Sequence, residues 1–310
     1  MAKYKIYSWG DGIQISVFDI SSILLAKFIS ELSLSSEFEI IPSSNIFDSN
    51  SGRLPVLLNS EAGNNIQVVG FIEILKIILK DIQFGSNKTD PKTRILYDAY
   101  LHDLVKNLEL ITNYNFFVVK KNYEGYTRTL FPSLLPWPTQ YKPPVDLRNA
   151  ALELCLNDGI IDDESVNIEY QMLETDLEDE LQLLKKEEKN LRDTPVINDM
   201  QKMQMDKQLD IISQKKSVIS NMQCIKKLKT VLEKFNKLNF QDDIFKSILH
   251  TYLKCNICDS LPENFIRVWL RKEYPELLSE IDSLNVDFKV ENVSKISLST
   301  ALRSYVTSLV

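Results

Sequence analysis

Histidine is nearly absent. Two in 310 residues, His102 and His250, leave little material for imidazole acid–base chemistry or for a metal site built on histidine. The four cysteines, Cys155, Cys224, Cys255 and Cys258, are too few and too scattered for a disulfide framework, so a reducing compartment is the expected setting. No apolar run reaches the roughly 18 to 20 residues of a spanning helix. The best stretches, Ile20 to Ile29 and Phe71 to Ile82, are short and broken by lysine or acid. Basic excess is lacking as well: 36 Lys and Arg against 43 Asp and Glu give a net charge of -7, which argues against nucleic acid as a partner. Met1 to Lys5 shows neither a secretory apolar core nor an Arg-rich transit pattern, so no leader is expected. P-loop, HExxH and GxSxG patterns are missing.

What is present suffices for two domains. Lys3 to Trp9 alternates polar and bulky residues as a half-buried strand does, and Gly10-Asp11-Gly12 supplies a turn. Asp19, Ser21 or Ser22 can cap a helix to about Leu32. Phe38 to Ile41 and Leu54 to Leu58 read as further strands; Asn64-Asn65 then turns into Ile66 to Val69, and a helix covers Phe71 to Ile82. Pro55 lacks the N–H that a sheet ladder uses, which implies an edge or a strand start.

From Pro91 the apolar period becomes helical. Ile95, Leu96, Tyr100, Leu101, Leu104, Leu108 and Ile111 mark one long amphipathic helix. Asn122 to Phe131 predicts a second, ended by Pro132, Pro136 and Pro138, and Val145 to Leu156 a third. Residues 158–216 differ in composition: acids at Asp162 to Glu164 and Glu174 to Glu180, then Lys185, Lys186 and Lys189, surround a thin leucine seam, and Thr194-Pro195 breaks it. This predicts a charged helical hairpin inserted into the helical domain, most simply a solvated arm. The core pattern resumes near Val218 and continues through helices at Asp243 to Leu253, around Phe265, Val268 and Trp269, and after Pro275; Ser297 to Val310 is expected as a docked helix or a tail.

The α/β half with its Gly52-Arg53-Leu54-Pro55-Val56-Leu57-Leu58 segment, followed by an all-helical half, resembles the glutathione transferase fold. That resemblance implies a thioredoxin-like domain at residues 1–85, with Pro55 as its fold-marking edge proline. An all-α transferase-like domain would follow at 86–157 and 217–310, and the hairpin insertion would occupy 158–216. A transferase of this fold usually has Glu-Ser before the helix that follows the last strand; Gly70-Phe71 stands there instead and cannot hold a γ-glutamyl carboxylate. A more specific match lies between the halves. Asn122-Tyr123-Glu124-Gly125-Tyr126-Thr127-Arg128-Thr129-Leu130-Phe131, then Leu135-Pro136-Trp137-Pro138 and Leu147-Arg148-Asn149-Ala150, resemble the metaxin family, as do Trp9-Gly10 and Asp242 to Trp269.

The closest likeness is to the larger metaxin-type subunit of the fungal sorting and assembly machinery. It implies a non-enzymatic protein on the cytosolic face of the mitochondrial outer membrane, peripheral, without cofactor or small-molecule substrate. The implied partners are a β-barrel insertase subunit, a second metaxin-like subunit, the import translocase and β-barrel precursors. Tyr123, Tyr126 and Trp137 are the candidate protein-binding residues, being of the types that anchor interfaces; ordinary core packing is the plain alternative.

Two chemical readings compete with an adaptor. Cys255-Asn256-Ile257-Cys258 has redox or half-zinc spacing, but with only His250 near it the expectation is an incidental pair. A glutathione transferase-type enzyme, the alternative function, needs a hydroxyl or thiol at the first helix's N-terminus, where Tyr7, Ser16, Ser21 and Ser22 are available. Asp19 nearby disfavours an anion.

Overall fold

The structure, a computed structural model, describes residues 3–45, 49, 53–59, 67–80, 91–161, 199–237 and 243–284. Four strands open the chain: β1 (Tyr4–Ser8), β2 (Phe38–Pro42), β3 (Val56–Asn59) and β4 (Gln67–Val69), in the order β2-β1-β3-β4. β1 and β2 run parallel from Tyr4 opposite Phe38, whose rings stack at 4.9 Å; β1 with β3 and β3 with β4 are antiparallel. The β1 to β2 crossover is α1 (Ile20–Glu31), and α2 (Phe71–Lys80) follows β4. A small mixed sheet with two helices, followed by helices alone, is compatible with the expected thioredoxin-like unit and helical domain.

Pro55 sits at a strand start, not at an edge. β3 has hydrogen-bonded neighbours on both sides, and the edges of the sheet are β2 and β4. The proline precedes the first paired residue, so its missing N–H interrupts nothing, while its carbonyl accepts from the Gly70 amide at 3.2 Å. The Leu54-Pro55 peptide is cis.

The helical half begins with α3 (Pro91–Asn113). Tyr100, Leu101, Leu104, Leu108 and Ile111 are buried as the period requires, but Ile95 and Leu96 are two-thirds exposed. They continue the pattern in sequence, yet the described chain does not cover the first turns of this helix. Two π-helical turns (Tyr114–Val118 and Tyr123–Thr127) flank α4 (Lys120–Asn122), and α5 (Arg128–Leu134) continues from the second. Pro132 therefore lies within α5, one turn before the end set by Leu135, where its missing N–H costs only a terminal bond. α6 (Lys142–Asn157) starts with Pro143 and Pro144 in its first turn.

Next comes α7 (Asp199–Lys237), one unbroken helix of 39 residues, inside which the 216/217 boundary falls. α8 (Asp243–Asn256), α9 (Phe265–Glu273) and α10 (Pro275–Ser283) complete the set. The remaining hairpin features from Asp162 to Thr194-Pro195, the Asn64-Asn65 turn, the Asn239 to Asp242 cap and Ser297 to Val310 lie outside the described residues.

A large, mostly aliphatic core joins the sheet and α1–α3 to α7–α10. A second, smaller one is rich in aromatics and stands where the end of β1 meets the π-helical turns.

Candidate functional site

The first place to look is the N-terminus of α1, where the orphan N–H groups and helix dipole of a transferase would hold a nucleophile. Asp19 already occupies it. Its carboxylate accepts from the Trp9 amide at 2.9 Å, the Ser22 amide at 3.3 Å and the Ser22 hydroxyl at 2.7 Å. Burial pushes this carboxyl above the ordinary range, and those hydrogen bonds oppose the shift.

The hydroxyls of the region are engaged or covered. Ser22 is fully buried against Asp19; Ser21 donates to Glu109 at 3.2 Å and shares a hydrogen bond with the Tyr252 hydroxyl at 3.1 Å; Ser16 is buried, its amide donating to the Trp9 carbonyl. Tyr7 is half-buried on β1. The Ser21 contacts tie α1 to α3 and α8, so the helix start is a joint between the two halves.

Aromatic rings fill the adjoining space. Trp9 leaves β1 and packs on Phe131 edge-on at 5.8 Å and on Phe18 at 6.0 Å; Phe18 stacks on Phe131 at 5.7 Å and meets Phe117 at 5.5 Å. The chain reaches this position through Gly10. A Cβ there would collide with Pro42 and the Gln14 carbonyl, while the Gly10 amide and carbonyl are both held by the Ser44 hydroxyl. Gly70 adopts φ +100°, and Phe71 turns inward at 3% exposure, so neither presents a polar group to a ligand beside Pro55.

The sequence candidates separate. Tyr123 is 3% exposed inside the aromatic core, with the Arg148 guanidinium 4.4 Å from its ring centre, and so belongs to packing. Tyr126 is half-buried against the same core. Trp137 is 71% exposed. The structure therefore does not bring the three together as one surface.

The Cys255–Cys258 turn ends α8. Cys255 is buried and its thiol pushed far up by burial, Cys155 is pushed up to about 12, and burial lowers the basicity of His250. Among the described residues no three His, Cys, Asp or Glu side chains are grouped to hold a metal.

A set of buried asparagines lies beside the aromatic core, with no local pattern in the sequence to mark it. Asn122 donates to the Asn115 carbonyl and side chain at 3.1 and 3.0 Å and to the Glu263 carbonyl at 2.9 Å, and accepts from the Glu263 amide at 2.7 Å. Asn115 in turn donates to Asn256, which donates to Thr112 at 2.8 Å. This chain of amides sews the π-helical turns to the loop before α9, satisfying backbone groups that the wider helical turn leaves open. The isolated Asn positions beside Tyr114 and Tyr123 were the only signal.

Residues 21–148 match the model of a family described as outer mitochondrial membrane transport complex protein, Tom37. Over this stretch the chain is similar to the Tom37 family. The Tom37 match runs from the first turn of α1 through β2, β3 and β4, the π-helical turns and the Trp137 loop into α6; it takes in the metaxin-like stretch from Asn122 to Arg148 but not Trp9-Gly10 or Asp242 to Trp269. No curated protein matches the chain. Among the described residues no helix is long and apolar enough to cross a membrane.

Proposed function

We propose that the protein is a non-enzymatic subunit of the mitochondrial outer-membrane sorting and assembly machinery. It assists insertion of β-barrel precursors from the cytosolic face, is held there peripherally, and links to the import translocase. Its partners are the β-barrel insertase subunit and a second metaxin-like subunit. The observation that carries the reading is the Tom37 match over residues 21–148.

The geometry at α1 supports a non-catalytic role within a transferase-like architecture. A thiolate needs free donors and low local negative charge. Asp19 takes those donors, and rings take the space beside them. Millimolar glutathione should give no binding heat in calorimetry; saturable binding would restore the enzyme.

The direct test is a pull-down of the tagged full chain from solubilised mitochondria. The insertase subunit and a metaxin-like protein should be recovered together. Recovery of neither would remove the proposed role. A parallel deletion of residues 160–214 asks whether the hairpin region carries the contact, and unchanged recovery assigns it to the remaining surface.

A further inference from the structure

Two exposed aromatic side chains stand out among the described residues, Trp137 at 71% and Tyr141 at 58%, with Val145 at 48% one helical turn beyond. The loop that carries them is braced. Leu134 and Leu135 are buried in the aromatic core, the Leu135 amide bonds the Phe131 carbonyl at 2.9 Å, and the Thr139 hydroxyl bonds the Pro136 carbonyl at 2.6 Å. Pro144 is buried on the far side. An indole held outward by a fixed loop needs little ordering on contact.

The stretch that carries it has charge of one sign, bordered by the exposed acids Glu124 and Asp146. From Gly125 to Val145 the chain has Arg128 and Lys142 and no acid, in a protein of net charge -7. Both cations are exposed, and neither is ion-paired within the described residues. We propose that the Trp137–Tyr141 loop enters the headgroup layer of an anionic lipid surface, with Lys142, which follows Tyr141, on a phosphate.

Area decides for lipid over protein. A standard protein interface takes about 800 Å² from each partner. A Trp and a Tyr offer roughly 150 to 250 Å² each, enough to anchor a loop but not to hold a folded partner. Amphipathic rings with an apolar body and one polar end are suited to the layer between water and acyl chains. The inference rests on the membrane location in the reading above, not on the assembly role.

The test is flotation of the purified full chain with phosphatidylcholine vesicles containing about 25% phosphatidylglycerol. The native chain should float, and brominated acyl chains should quench its tryptophan emission. Trp137→Ala with Tyr141→Ala should lower partitioning about tenfold. Lys142→Ala should lower it about fivefold at low salt and not at high salt. Trp137→Phe should keep flotation and lose the quenching, which a merely structural role would not produce. These side chains are exposed, so circular dichroism should show every variant folded. Absence of flotation by the native chain, or equal flotation by the double variant, overturns the proposal. So does a double variant that floats normally but loses a co-purifying protein, which would give the loop to a protein partner. The vesicles contain no protein, so flotation and the mitochondrial pull-down fail independently.

Discussion

Trp9 and Trp137 show the same residue type used in opposite ways. Each follows a regular element beside a turn residue, Gly10 or Pro138, but Trp9 belongs to the aromatic core, which reaches the Trp137 loop only through Leu134 and Leu135. Trp9 faces inward at 6% exposure and helps fill the start of α1; Trp137 faces outward at 71% on a loop fixed by the same core. The first fills the space beside the N-terminus of α1, and the second presents a surface. The same packed cluster thus buries one indole and holds another outward, and what each does depends on its surroundings rather than on the fold.

Breaking the closed side should cost most. Trp9→Ala removes the indole from contact with Phe18 and Phe131 and should destabilise by about 3 to 5 kcal/mol, read as a lowered urea midpoint. If the midpoint holds, Trp9 is not part of a packed plug. Next is Asn122→Ala, which strands the half-buried Glu263 amide and the buried Asn115 side chain; about 1 to 3 kcal/mol is expected by the same assay.

Asp19 gives a smaller effect that depends on pH. Burial raises its carboxyl in the folded state above the ordinary 3.8, so the folded chain keeps this proton to higher pH than the unfolded chain does. Stability from this group is therefore fully present below about 3.8 and is lost as pH rises through the folded-state value. Asp19→Asn preserves a capping oxygen and should remove that slope from a series of urea midpoints against pH. An identical slope in the variant would show that Asp19 is not a buried charge. Smallest of all, Trp137→Ala should change stability by no more than about 0.5 kcal/mol, since it removes a side chain that packs little. A larger loss would place that indole in the core and end the contrast with Trp9.

How much of this the sequence revealed depended on the range of the signal. Strand alternation, the Asp19 cap, Pro91 and the turns before α10 are local, and the elements formed within a few residues of their expected bounds. Pro55 was half legible: its chemistry allowed an edge or a strand start, and only pairing with β1 and β4 selected the second. Ile95 and Leu96 fit the helical period but are exposed, because period marks a face without saying what covers it. Tyr123 and Trp137 are alike in composition, and their opposite exposures follow from long-range packing. The Asn115–Asn122–Asn256 chain was illegible because it joins residues up to 141 positions apart.

The proposed role is to serve β-barrel assembly at the mitochondrial outer membrane without chemistry of the chain's own. It is tested most directly by importing a radiolabelled β-barrel precursor and a radiolabelled matrix precursor into mitochondria depleted of the chain, with assembly followed on native gels. The β-barrel precursor should cross the membrane and stall before assembly, while the matrix precursor should arrive normally and added glutathione should change neither. Normal assembly of the β-barrel in depleted mitochondria would contradict it.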